Sequence, residues 1–300
     1  MNRINKILLL SLIIALVGCN TNQNVNSEED NESDKSYKEL RNDFESSLLK
    51  KIKAPQYYSD FVAPPANISV MNYNSEGREL KGLLHTLNID SAKETKAIVY
   101  LHGGFSLGYS DVSDCQPFID AGYIVFAPSY RGENGNDGNF EYFYGEVSDA
   151  ENAVKWLSSQ SYVDSGNVFV FGHSIGGEMS TLLSLNNNCP SKLNGSSSGL
   201  YFKESLSQLV RKENIPFDTL NDNEFRFRCP VYMLNYLAKD HFMYIGTGDY
   251  YKESYSSIIE IYGTVPEKMK LIEMPGNHFS SLKPAMKSFL TEIEKIQKPL

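Results

Sequence analysis

Phe169-Val170-Phe171-Gly172-His173-Ser174-Ile175-Gly176-Gly177 is the stretch whose reading decides the fold. An apolar run over 168–171 leads straight into Gly-x-Ser-x-Gly, and a helical pattern follows to Leu185. A strand that turns at once into a helix, with serine at the corner, is how a nucleophilic hydroxyl is presented at the carboxyl end of a sheet's strands. The demand is steric: a side chain in so tight a turn needs neighbours without a Cβ. Gly172 and Gly176 supply them, and Gly177 lets the new helix lie near the sheet. The bare pattern is weak, because at a usage of about 7% for Gly a chain of this length matches by chance roughly one time in ten. Gly195-Ser196-Ser197-Ser198-Gly199 matches too. Only Leu193 precedes it as an apolar residue and no amphipathic helix begins after it, so Ser197 reads as part of a polar Gly/Ser loop. Context selects Ser174.

Outward from this corner the chain alternates. Strands are predicted over 97–101, 123–127, 168–171, 242–246 and Met269–Met274, with helices over 147–157, Ile175–Leu185, 202–211, 253–261 and 282–296. Such alternation implies a largely parallel sheet with helices on both faces. Before it, 68–73 and 80–87 joined by Asn74-Ser75-Glu76-Gly77 predict an antiparallel hairpin. Tyr37, Leu40, Phe44, Leu48 and Ile52 recur at helical spacing and predict one amphipathic helix over 37–53. Residues 186–228 are polar and irregular, with room for a small lid.

A serine hydroxyl at neutral pH needs a base and an orienting acid. In parallel sheets functional groups gather at the carboxyl ends of strands, and that rule sorts the five histidines. His278 lies four residues past the end of the last strand and is the candidate base. His241 precedes its strand, His85 lies in the hairpin, and His102 sits among residues suited to another task. His173 adjoins the nucleophile, where its side chain should leave in another direction. Asp249 ends the preceding strand and is the candidate acid, with Asp240, at the strand's other end, the weaker one. The oxyanion of acyl transfer needs N–H donors. Ile175 offers one at the start of its helix, and His102-Gly103-Gly104-Phe105 offers another from Gly104 or Gly103.

The two ends of the chain bound the setting. Arg3 and Lys6 precede an apolar run over 7–17 that is too short to span a bilayer. It ends Leu16-Val17-Gly18-Cys19, which resembles a bacterial lipobox, so 1–18 reads as a lipoprotein signal peptide and Cys19 as a lipidated N-terminus. Residues 19–36 read as a disordered tether, 37–66 as a helix and linker, and 67–300 as the catalytic domain. Loss of the two signal-peptide cations takes the net charge from −9 to −11, which argues against nucleic acid as a partner. Cys115, Cys189 and Cys229 fit no zinc spacing and read as buried free thiols. Neither a metal nor a cofactor is implied, since no phosphate-binding loop or ligand cluster stands out.

Over 97–290 the chain resembles the catalytic domain of the prolyl oligopeptidase family of serine peptidases. The residues that carry the likeness are His102-Gly103-Gly104-Phe105, Tyr130-Arg131-Gly132-Glu133-Asn134-Gly135, Gly145-Glu146-Val147-Ser148-Asp149-Ala150, Gly172–Gly177, Gly248-Asp249 and Gly276-Asn277-His278. The resemblance implies an α/β-hydrolase fold with a mostly parallel eight-stranded sheet, and scaffold roles for Arg131 and Asp149. The chain departs from the family in having no propeller ahead of the catalytic domain, and no tyrosine is assigned to its oxyanion hole. The expectation is a lipid-anchored, extracytoplasmic serine hydrolase of a bacterial envelope, acting on short peptides. A carboxylesterase on small acyl esters is the alternative. A non-catalytic surface lipoprotein is the reading from another class, against which the complete set Ser174, Asp249 and His278 argues.

Overall fold

Strands covered on both faces carry near-continuous apolar runs, and the fold is built around two of them. The computed structural model describes residues 34–56, 60–90 and 92–297. In it β3 (Thr95–Leu101) and β5 (Val163–His173) pair in parallel at the middle of an eight-stranded sheet. The chain divides after Lys35, and the sheet belongs to the unit Ser36–Leu300. The predicted signal peptide and Cys19 lie outside the described residues.

The remaining strands are β1 (Ile68–Ser75), β2 (Arg78–His85), β4 (Ile124–Pro128), β6 (Asn194–Ser197), β7 (His241–Gly246) and β8 (Met269–Met274). Their order is β1-β2-β4-β3-β5-β6-β7-β8. The pairs β1–β2 and β2–β4 run antiparallel, and the other neighbours run parallel. The β1–β2 hairpin closes on Glu76-Gly77, both at positive φ, the form whose twist suits a two-residue turn.

The helices are α1 (Tyr37–Asp43), α2 (Tyr109–Asp114), α3 (Gln116–Asp120), α4 (Gly145–Ser158), α5 (Ile175–Leu185), α6 (Lys203–Leu206), α7 (Asp222–Arg226), α8 (Lys252–Tyr262) and α9 (Leu282–Gln297). Side chains of β3 alternate between two helical layers. Ala97, Val99 and Leu101 join Val147, Ala150 and Val154 of α4 and Met179 and Leu182 of α5 in one core. Ile98 and Tyr100 join Val112, Phe118, Ala285 and Phe289 from α2, α3 and α9 in the other. The chain leaves β3 for β4 on one side and returns to β5 on the other. That reversal opens a crevice at their carboxyl ends, where open α/β sheets bind ligands.

Three expectations need correcting. The helix predicted over 37–53 ends at Asp43. Phe44 turns extended and stacks on Phe227 at 4.9 Å, and Leu48 makes a β-bridge with Phe217. The helical spacing over 44–52 therefore serves separate partners along an extended path. The helix over 202–211 shrinks to Lys203–Leu206.

The supposed Gly/Ser loop around Ser197 is β6, a fully buried central strand. Part of its polar surface is met inside the core, while Asn194 Oδ1 and Ser197 Oγ find no hydrogen-bond partner among the described residues. Ser180 Oγ donates to the Gly195 carbonyl at 2.8 Å, and Ser196 Oγ meets His241 Nε2 at 2.9 Å. The other ring nitrogen of His241 meets Ser184 Oγ at 2.8 Å. A polar strand of this kind carries none of the apolar signal by which strands are read. The three cysteines 115, 189 and 229 are buried and free.

Candidate active site

Ser174 occupies φ 54°, ψ −121°, a region costly for any residue with a Cβ. The crossing behind it admits only glycine. A Cβ on Gly172 would lie 2.0 Å from the Gly176 carbonyl oxygen, and one on Gly176 would lie 2.1 Å from that of Leu101. The Ser174 N–H donates to the Ser197 carbonyl at 3.0 Å, so the neighbouring strand β6 pins the corner.

Asp249 and His278 come from the loops after β7 and β8 and meet with Nδ1 to Oδ2 at 3.0 Å. Burial pushes the Asp249 carboxyl up, but hydrogen bonds from His278, Ser198 and the Tyr251 N–H outweigh it and hold the group below its ordinary value. An ionised acceptor there fixes the proton on Nδ1 and leaves Nε2 free to take another. Nε2 has no hydrogen-bond partner among the described residues. His278 and Ser174 both line a cavity of about 830 Å³. Ser174 Oγ is turned to the hydroxyl of the fully buried Tyr201, at 3.3 Å. Catalytic hydrogen bonds often tighten only when substrate is bound.

His173 does not leave in another direction, as the sequence suggested. Its Nε2 lies 2.9 Å from the His278 carbonyl oxygen, and burial pushes its pKa down to about 4. The neutral ring, protonated on Nε2, ties the loop of His278 to the corner at Ser174. Tyr250 stacks on the His278 ring at 4.7 Å, and Phe279 meets it edge-on at 5.1 Å. The rejected candidates lie elsewhere: Asp240 is exposed at the amino end of β7, His241 is in the core, and His85 ends β2.

Ile175 is the first residue of α5, so its N–H has no partner within the helix. The loop after β3 faces it. A Cβ on Gly103 would sit 3.4 Å from that of Ser174, and Gly104 adopts φ 71°. Gln56 Oε1 accepts the Phe105 N–H at 2.9 Å, so the segment before β1 helps shape the loop. That contribution carries no motif. Gln56 stands in a linker and is recognised only by where the chain folds back.

Beneath this loop His102 Nε2 meets Glu133 Oε2 at 3.2 Å, with both side chains buried. Burial alone would lower the His102 pKa, but the charge and hydrogen bond of Glu133 outweigh it and raise it to about 9. The proton bound on folding makes stability depend on pH. Since the folded value lies above the ordinary 6.5, the contribution is complete below about pH 6.5 and is lost as pH rises through about 9. At 1.36 kcal/mol per unit this amounts to about 3 kcal/mol. Urea unfolding should show stability falling over that window, and His102→Gln should flatten the fall. An equally steep fall in the variant would remove His102 as its source.

A serine at a strained strand–helix corner, a buried carboxylate–imidazole pair and an eight-stranded mostly parallel sheet define a serine hydrolase of the α/β-hydrolase fold. Residues 23–194 match the family of X-Pro dipeptidyl-peptidases (S15 family), so the chain belongs to that family of peptidases. The family differs in name from the prolyl oligopeptidases that the motifs resemble, and the two agree on a serine peptidase of this fold. The match includes Ser174 and stops before Asp249 and His278. Over 114 residues the chain is 32% identical to the uncharacterized peptidase YtmA of Bacillus subtilis (strain 168). That similarity spans 38% of this chain and 44% of the relative, less than half its length.

Among solved structures, an esterase of Pyrococcus furiosus superposes with a TM-score of 0.59 at 18% identity, over 82% of this chain and 98% of the esterase. An acylaminoacyl peptidase of Pyrococcus horikoshii gives 0.57 at 17% identity, over 76% of this chain and 40% of the peptidase. At such identities the likeness is one of fold.

Proposed function

We propose that the protein is a peptidase acting on short peptides through an acyl-enzyme, held at the outer face of a bacterial membrane by lipid on Cys19. In this reading Ser174 Oγ attacks the acyl carbon and His278 Nε2 takes its proton, then hands it to the leaving amine. Asp249 holds the imidazole tautomer, and the N–H groups of Ile175 and of Gly104 or Gly103 meet the oxyanion. The observation that favours a peptide is the wall of the cavity. Asp111 and Asp114 of α2 line it together with Lys283 and the polar side chains of Gln56, Asn277 and Ser280. Asp114 and Lys283 are 3.6 Å apart and about half exposed, so the charge balance leaves one carboxylate over. A site of this polarity suits the free amino group of a peptide chain better than an alkyl tail. The carboxylesterase reading draws on Tyr250 and Phe279, 65% and 71% exposed, beside His278. They offer an apolar rim to an acyl or aryl group.

Fluorophosphonate labelling of membrane and soluble fractions tests the chemistry and the anchor together. Wild type should label in the membrane fraction, Ser174→Ala should not label, and Cys19→Ser should carry the labelled band into the soluble fraction. Peptide anilides with free and acetylated amino termini then test specificity. Asp114→Asn should raise KM for the free terminus alone. Turnover confined to esters would sink the peptidase reading.

A further inference from the structure

Tyr201 is the residue at this site that no motif marks. Its hydroxyl has one hydrogen-bond partner among the described residues, Ser174 Oγ at 3.3 Å, and its side chain is fully buried. The residue is held from two directions. Its N–H donates to Glu178 Oε2 at 3.1 Å, from the first turn of the helix that begins at the nucleophile. Its ring meets that of Tyr251 edge-on at 5.1 Å, beside Asp249, and Ser198, three residues before it, bonds Asp249 directly.

The side from which the hydroxyl approaches decides its role. Ser174 directly follows β5, which lies between β3 and β6. Gly103 and Gly104 follow β3 and flank the serine on that side. Tyr201 follows β6 and flanks it on the other. It is therefore placed against Oγ itself and away from the donors facing a substrate's carbonyl oxygen. Burial pushes the phenol well above its ordinary pKa, so the group keeps its proton and can donate.

We propose that Tyr201 is a catalytic residue whose hydroxyl donates a hydrogen bond to Ser174 Oγ when that oxygen leaves the acyl-enzyme. The inference rests on the reading of Ser174 as nucleophile. In deacylation a water oxygen bonds to the acyl carbon and its proton passes to His278 Nε2. The bond from carbon to Oγ then breaks, its electron pair stays on Oγ, and His278 returns the proton there. Tyr201 loses no proton at any stage. Its O–H stabilises the charge that builds on Oγ between bond breaking and proton return, as preorganised donors do.

Acetylation by p-nitrophenyl acetate, followed by intact mass, tests this. Nitrophenol release gives the acylation rate, and loss of the acetyl mass gives the deacylation rate. Tyr201→Phe keeps the ring on Tyr251 and the backbone bond to Glu178. It should still acetylate, but should hold the acetyl group about ten to a hundred times longer, the range for a lost hydrogen bond to a charged group. With deacylation limiting, kcat and KM should fall together. An unchanged deacylation rate would overturn the proposal. So would faster acylation with unchanged deacylation, which would make Tyr201 a restraint on the resting nucleophile. A wild-type protein that never acetylates on Ser174 would instead overturn the nucleophile assignment on which the proposal stands.

Discussion

Ser174→Ala should leave a folded protein whose kcat is lower by on the order of 10⁶, since removing the nucleophile of such a unit costs about as much as removing the whole unit. Activity that survives the substitution at more than a thousandth of wild type would show that another group attacks the substrate. The same position should also trade activity for stability. At φ 54°, ψ −121° every residue with a Cβ is strained, by about 1–3 kcal/mol. Ser174→Ala keeps that strain, because alanine has a Cβ. Ser174→Gly releases it while being equally inactive, and the relief should exceed the entropy a glycine adds to the unfolded chain, about 0.5–1 kcal/mol. Urea midpoints should therefore rank Ser174→Gly above Ser174→Ala. The reverse order would mean that the neighbouring strands, and not the corner's own backbone, determine the energy there.

The sheet was legible because its central strands are apolar on both faces, and because Gly172 and Gly176 mark a crossing too close for any side chain. Asp249 and His278 could be named from strand ends alone, and they lie 3.0 Å apart. The strand between β5 and β7 was not legible. Asn194, Ser196 and Ser197 look like loop, and the partners that β6 does find, the imidazole of His241 on Ser196 and the hydroxyl of Ser180 on the Gly195 carbonyl, are brought in from other elements. Ser198 and Tyr201 were hidden for the same reason, since their contacts depend on where β6 runs. Gln56 and His173 act through hydrogen bonds to loops distant in sequence, 49 and 105 positions away. Local patterns report which face of an element is buried. They do not report which distant backbone group a polar side chain will find.

The buried Arg131–Asp149 pair shows how scaffold and chemistry separate near this site. Asp149 is fully buried and accepts from the Arg131 N–H at 3.0 Å, from its Nε at 2.9 Å and from its terminal nitrogen at 2.7 Å. Ser75 Oγ adds a bond at 2.6 Å from the β1–β2 hairpin. Arg131 also reaches Glu141 and Glu76, each at 2.8 Å. The pair thus joins the end of β4, the first turns of α4 and the hairpin, and neither residue lines the cavity over Ser174. Asp149→Ala takes this fully buried carboxylate away from the guanidinium and should cost about 3–5 kcal/mol, the range for breaking a buried pair from one side. Arg131→Met combined with Asp149→Leu removes both charges and should cost less than the sum of the two single changes. Catalysis should behave differently. Glu133, which holds His102 beneath the oxyanion loop, takes its own bond from the Tyr130 N–H at 3.2 Å and does not depend on Asp149. With active sites counted by fluorophosphonate, kcat per labelled Asp149→Ala site should stay within about twofold of wild type, the scatter expected of a residue that makes no contact with the reacting atoms. A tenfold loss per labelled site would mean that strain from α4 reaches Gly103 through His102, and would move Asp149 from the scaffold into the machinery that positions the oxyanion donors.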